Sequence, residues 1–249
     1  MPKTALTIFI YTLQFAFTAI AVPIGIAASY LLPQRPFLRI VQLWAQGLFV
    51  LMGKRIERFG VPPRERNGLL ILVNHSSLYD IPAVMTIWPG VAWLGRDYLL
   101  RIPLFGRMLK RLNYIGVERD PTQSARRILN QALAGAARFN IAVFPEGTRT
   151  LNGRLGEFKR GFVHIMRSGK LDVLPVTLTG FYQLKPKNRS TIDIRAPLRI
   201  IVGKPIGYEE LEWLSTQDIL NRMREIIEMQ LLTGRPYQEI PAPSNVMER

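Results

Sequence analysis

Two apolar stretches near the start of the chain, then a series of short apolar runs broken by polar turns, make up the hydropathy pattern. Residues 5–32 contain no charged side chain. As a straight helix these 28 positions would run ~42 Å, against ~30 Å of bilayer hydrocarbon, so the stretch is long enough to span with tilt. Pro23 and Gly25 offer a kink after which the chain could turn back as a re-entrant hairpin, and the topology stays open. The second run, 40–52, has 13 residues, too few to span but suited to an interface. A merely buried helix is disfavoured because so long a segment shows no polar face. A cleaved signal peptide competes, with Gly25-Ile26-Ala27 as its weak cleavage match, but the apolar region is too long and only Lys3 precedes it. The pattern predicts a membrane-anchoring helical segment over residues 1–55.

Beyond it, short apolar runs at 69–73, 114–117, 141–144, 173–179, 192–195 and 198–202 read as strands covered on both faces. Helix patterns alternate with them. One opens at Asp120-Pro121 and carries Ile128, Leu129 and Leu133 on one face; another is started by Ser215 with Asp218, resembling a capping box, and runs to about Leu232. This alternation predicts an α/β domain over residues 56–232, a central sheet flanked by helices. Residues 233–249, with Pro236, Pro241 and Pro243, read as a loose C-terminal tail.

Charge narrows the class of partner. The 249 residues hold 33 Lys and Arg against 18 Asp and Glu, a net charge of +15, which points to nucleic acid, anionic lipid or a phosphate-bearing substrate. The basic residues are dispersed, without the helix-face clustering or aromatic interleaving that nucleic acid would require. Arg35, Arg39, Lys54, Arg55 and Arg58 follow the apolar segment. By the positive-inside tendency they put the rest of the chain on the cytoplasmic face of the cytoplasmic membrane. Cysteine is absent, so there is neither a disulfide framework nor a thiolate metal site.

Candidate chemistry sits at strand ends. In "LVNHSSLYDIP" (72–82), one of the chain's two histidines, His75, ends an apolar strand five residues before Asp80. On one regular helix that separation leaves the pair ~140° apart. They meet if His75 lies on the strand-to-helix turn and Asp80 in the first helical turn, where the carboxylate can accept from one ring nitrogen and leave the other as a base. The plainer reading is a helix-start aspartate, favoured there by the dipole, beside an incidental histidine. A second cluster, "AVFPEGTRTLNGRLGEFKRG" (142–161), follows another strand. Gly147 permits close backbone approach, Thr148 supplies a hydroxyl, and Arg149 can hold a phosphate by two parallel hydrogen bonds. Arg119, in "YIGVERD", ends a further strand. His164 falls within a helix pattern and reads as packing or surface.

Together these blocks resemble the glycerolipid acyltransferases, specifically the bacterial type of 1-acylglycerol-3-phosphate O-acyltransferase (lysophosphatidic acid acyltransferase). "NHSSLYD" is similar to the family's first block, "GVERD" to the second, "FPEGTR" to the third and "VLPVTLTG", with Pro175, to the fourth. "LGRDYLLRIPLFG" resembles the linking segment, where a lysine often stands at the position of Arg96. Glu118 departs from the commoner Asp or Asn. The resemblance implies His75 and Asp80 as the catalytic pair. It implies Arg96, Arg119, Glu146, Gly147, Thr148, Arg149 and Lys159 for binding the acceptor. The implied reaction moves an acyl group from acyl-CoA or acyl-carrier protein to the sn-2 hydroxyl of lysophosphatidic acid, giving phosphatidic acid in phospholipid biosynthesis. A different lysolipid, such as a lyso-ornithine lipid, is the alternative acceptor. No cofactor or metal is implied; the implied partners are membrane lipid, the acceptor and the thioester donor.

Overall fold

The computed structural model of the chain describes residues 3–62, 68–117 and 139–239. The described strands are β1 (Ile56–Phe59), β2 (Leu69–Val73), β3 (Ala92–Arg96), β4 (Ile115–Val117), β5 (Ile141–Val143), β6 (Asp172–Thr179) and β7 (Leu198–Val202). The described α-helices are α1 (Lys3–Leu31), α2 (Gln34–Val50), α3 (Asp80–Met85), α4 (Phe105–Arg111), α5 (Gly161–Gly169), α6 (Phe181–Leu184), α7 (Tyr208–Leu211) and α8 (Thr216–Thr233). All seven strands join one sheet in the order β1-β7-β6-β2-β5-β3-β4. The run from β6 to β4 is parallel, β7 is antiparallel to β6, and β1 is parallel to β7.

All five residues of β2 are buried, because both faces of the sheet are covered. Leu70 and Leu72 join Ile141 and Val143 against α5 and α8. Leu69, Ile71 and Val73 face the opposite way, with Ile10 of α1, Phe49 of α2 and Ala83 and Val84 of α3. The expected α/β architecture is therefore present, and the N-terminal helices share its core. The chain leaving β2 crosses β5 to reach β3, and the chain leaving β5, its neighbour, crosses β2 to reach β6. The first crosses over the face that packs α3 and the second over the face that packs α5. Connections leaving neighbouring strands over opposite faces open a crevice beyond their carboxyl ends, where open α/β sheets place ligands.

Several expectations change. Residues 192–195 form no strand. The Ile192 amide donates to Thr7 Oγ1 of α1 (3.0 Å) and the Asp193 amide to Leu184 O (2.8 Å), so this backbone is satisfied outside the sheet. β1 and β3 are strands the apolar runs did not indicate. Helix α1 runs unbroken through Pro23, so the chain does not turn back there but after Leu31. Arg111 then caps its carboxyl end by donating to Ser29 O (2.7 Å) and Leu32 O (3.0 Å). Nor does α1 lack a polar face. Lys3, Thr7, Tyr11, Gln14 and Thr18 recur at three- and four-residue spacings, an arc of about 80° at 100° per residue. Four of these hydrogen-bond across to the rest of the chain, through Ile192 N, Ser190 O, Leu48 O and Trp44 Nε1, and Lys3 pairs with Asp193 at 3.5 Å. The other side presents Ile8, Phe9, Phe15, Ile20, Ile24 and Leu31 outward. Helix α2, which contains most of the 40–52 run, buries Phe37, Val41, Ala45, Leu48 and Phe49. At Gly47 it lies so close to α1 that a Cβ would stand 2.5 Å from the Phe17 ring.

Ser215 caps α8 as expected, its Oγ accepting from the Asp218 amide at 3.1 Å. Past Gly234, Pro236 is buried and Tyr237 packs against the core, so the start of the segment read as a tail is docked. The helix pattern opening at Asp120 lies outside the described residues.

Candidate active site

His75 stands just past the end of β2 and Asp80 is the first residue of α3, the arrangement in which a five-residue spacing closes. His75 Nδ1 lies 2.9 Å from Asp80 Oδ2. The same oxygen accepts from the Ser76 amide (2.6 Å) and the Ser77 amide (2.8 Å). An oxygen taking two N–H donors is an acceptor toward the ring as well, which assigns the shared proton to Nδ1 and leaves Nε2 as the basic nitrogen. Asp80 is fully buried and its Oδ1 has no partner among the described residues. Burial pushes this carboxyl up, while the His75 hydrogen bond and then the amides pull it down. The His75 side chain retains 18% exposure, enough for an outside group to reach the ring. Phe144 stacks on it at 3.8 Å and 11°, and Trp93 stacks on Phe144 at 5.1 Å, restricting the imidazole to one plane.

The loop after β5 is locked to this turn through backbone groups. Thr150 N donates to His75 O (2.9 Å), and Glu146 Oε1 accepts from His75 N (2.7 Å). Glu146 Oε2 accepts from Gly156 N (2.8 Å), so each carboxylate oxygen is occupied by a main-chain amide. The resemblance puts Glu146 among acceptor contacts. Its buried carboxylate, engaged by the two amides, braces the loop. Burial pushes the Glu146 carboxyl up, opposed by the bonds from His75 and Gly156.

Gly147 (φ +71°) turns the chain outward, a backbone state that Gly adopts without strain. It is exposed, as is Thr148, while Arg149 is half-buried. Thr148 and Arg149 make no hydrogen bond or ion pair among the described residues. Lys159 is exposed, its amide bonded to Pro145 O (2.7 Å) and its stem beside Gly147. Arg96 ends β3 on the same sheet edge as the ends of β2 and β5. Arg119 lies outside the described residues. The structure thus brings the His75 turn and the 146–149 loop together, and Arg149, Lys159 and His75 Nε2 have no side-chain partner among the described residues.

Sequence reading missed three neighbours. Phe144 is simply the apolar residue ending its strand, and nothing in the pattern marks it as the platform under His75. Ser77 Oγ donates to Lys185 O (2.8 Å), which brings the segment after α6 against the site. Lys185 itself is turned inward, donating to Pro186 O and Arg189 O. Burial, then Arg149 and Arg189, lower its pKa from the ordinary lysine value.

A family model described as Acyltransferase matches residues 56–179, which include both halves of this site. A 1-acyl-sn-glycerol-3-phosphate acyltransferase of Limnanthes alba is 30% identical over 216 residues, 83% of this chain and 75% of that protein. One of Cocos nucifera is 28% identical over 179 residues, 70% of this chain and 56% of that protein. The chain spans about half the length of several plant relatives it matches. The solved 1-acyl-sn-glycerophosphate acyltransferase PlsC of Thermotoga maritima shares the fold, with a TM-score of 0.75, 23% identity and coverage of 91% of this chain and 93% of that one. From block order, site and relatives alike, this chain belongs to the 1-acyl-sn-glycerol-3-phosphate acyltransferase family.

Proposed function

We propose that this protein transfers a fatty acyl group from a thioester donor, acyl-CoA or acyl-carrier protein, to the sn-2 hydroxyl of 1-acylglycerol-3-phosphate, giving phosphatidic acid for phospholipid biosynthesis. The reading rests on one observation above all: a 2.9 Å His75 Nδ1–Asp80 Oδ2 bond, with that carboxylate also pinned by two amides, in the same site as Arg149, which has no hydrogen bond or ion pair among the described residues. An alcohol is a poor nucleophile at neutral pH, and a positioned base is what it lacks. His75 Nε2 takes the hydroxyl proton as the oxygen attacks the thioester carbonyl. Asp80 holds the ring in one tautomer and stabilises the imidazolium. Collapse of the tetrahedral intermediate breaks the C–S bond, and the proton on Nε2 passes to the departing thiolate. The oxygen-attacked carbonyl needs no serine or cysteine ester of the enzyme.

Arg149 and Arg119, with Arg96, Lys159 and the Thr148 hydroxyl, hold the acceptor's phosphate, while Gly147 lets it approach the backbone. Guanidinium groups suit this anion because they give it parallel charge-assisted bonds. The outward face of α1, apolar from Ile8 to Leu31, attaches the protein to the bilayer, on the cytoplasmic face of the cytoplasmic membrane. Lying along the domain by its polar seam, α1 does this from the interface. The test is to incubate wild-type membranes with a panel of lysolipids and both donors and identify products by mass spectrometry. Phosphatidic acid is the expected product. Acylation confined to a headgroup without a phosphomonoester, such as lyso-ornithine lipid, would refute the acceptor assignment.

A further inference from the structure

Gln14 is the sole amide side chain between residues 5 and 32. In an apolar helix facing lipid an unbonded amide costs free energy. Here both of its ends are used: Nε2 donates to Leu48 O of α2 at 2.8 Å, and Oε1 accepts from the Tyr79 hydroxyl at 2.6 Å. Gln14 is 7% exposed and Tyr79 4%. The first bond is the familiar glue between two apolar helices. The second leaves the helix pair altogether and reaches the residue immediately before Asp80.

Tyr79 is held from four directions. Its hydroxyl meets Gln14, and its ring packs against Phe49 of α2 at 6.1 Å between centroids. Its amide donates to Ser77 Oγ at 3.3 Å, and its carbonyl accepts the first helical bond of α3, from Ala83 N, at 2.9 Å. Burial pushes the phenol far above its ordinary pKa, so it remains a hydrogen-bond donor at physiological pH. The next residue, Asp80, must place one oxygen within bonding reach of the His75 ring and of two amides at once. A small rotation of the α3 start would lengthen all three bonds together.

We propose that Gln14 and Tyr79 are positioning residues: through this joint the α1–α2 pair holds the start of α3, and so Asp80, where the His75 ring needs it. The inference rests on the roles of His75 and Asp80 given under Proposed function. It makes α1 part of the catalytic framework as well as a membrane attachment, so a detergent that replaces the bilayer does not make the helix dispensable to the chemistry.

The test compares Tyr79→Phe, Gln14→Leu and the double variant, each in the full chain in detergent micelles with dispersed acceptor. Tyr79→Phe keeps the ring and the Gln14–Leu48 bond, so it decides the matter alone should Gln14→Leu fail to fold. The kcat of each single variant should fall about three- to tenfold, the worth of one buried hydrogen bond, with KM for acceptor and donor unchanged. The double variant should be no worse than the worse single one, because one interaction is lost only once. Membrane fractionation should be unaltered. A second readout needs no turnover. The chain has two histidines, so ring ¹⁵N signals of His75 are assigned by comparison with His164→Gln. Wild type should show the single Nδ1–H tautomer and Tyr79→Phe a mixture or a shifted Nδ1 signal. Unchanged kcat per folded molecule together with an unchanged ring spectrum would overturn the proposal. Wild type that transfers no acyl group would sink the function proposed above, while the ring spectrum would still decide the joint.

Discussion

The two halves of the site are built on opposite electrostatic plans. At the end of β2 the catalytic contact is internally engaged: Asp80 is buried and its Oδ2 takes three donors. At the end of β5 the backbone is equally well tied, yet Arg149 and Lys159 are left with no carboxylate partner among the described residues. A group whose partners are already in place loses nothing to reorganisation when reaction begins. A cation left unpaired keeps its hydrogen-bonding capacity for an incoming anion. On the proposed function the contrast puts chemistry in the first half and acceptor recognition in the second, and a variant within one half should damage one property and spare the other.

His75→Ala should have the largest effect, lowering kcat by at least ~10²-fold, the low end for losing a general base, with an acceptor KM close to wild type. Turnover assays on protein shown to be folded by circular dichroism check this. Wild-type-like kcat would remove His75 from the mechanism. Asp80→Asn should also lower kcat, since the neutral amide no longer stabilises the imidazolium and can favour the wrong imidazole tautomer.

Glu146→Gln sits between the halves and should weaken both moderately. An NH₂ group would replace one acceptor oxygen, leaving the amide of His75 or Gly156 unpaired at about 1–3 kcal/mol of stability. The pH dependence has a definite sign. Burial raises the folded-state pKa of Glu146, so its protonation contributes stability below the ordinary glutamate range that is lost as pH rises through the raised value. The gap in Tm between wild type and the variant should therefore narrow with rising pH across that window. A gap that widens would mean that the amide bonds, not burial, dominate this carboxyl. The smallest expected effect is on attachment: high salt should leave the protein on membranes, because it screens charge but not the apolar face of α1. Release by salt alone would make the attachment electrostatic.

The chemistry half was the more legible in sequence. The rotation argument for His75 and Asp80 needs only a strand, a turn and a helix start, all local features. The buried strands were legible for the same reason: β2 and β6 are apolar on both faces, whereas edge strand β1 sets exposed Glu57 and Arg58 between half-buried Ile56 and Phe59 and gives no run. Residues 192–195 look like a strand because Ile192 and Ile194 alternate with charges, but their backbone partners lie at Leu184 and on α1, the latter 185 residues away. Remoteness also hid the role of Glu146, whose carboxylate reaches back 71 residues to His75 N. The polar seam of α1 was hidden differently: its members are sparse enough to vanish in an average over the helix, and only the partners across the seam give them meaning.

The division of labour is tested most directly by acceptor discrimination. The quantity is the ratio of kcat/KM for 1-acylglycerol-3-phosphate to that for 1-acylglycerol, which has the same hydroxyl but no phosphate. Arg149→Ala should reduce this ratio by about ten- to a hundredfold, the range for one charge-assisted contact, while Asp80→Asn should lower both numerators and leave the ratio near wild type. An unchanged ratio in Arg149→Ala, or a collapsed one in Asp80→Asn, would contradict the account.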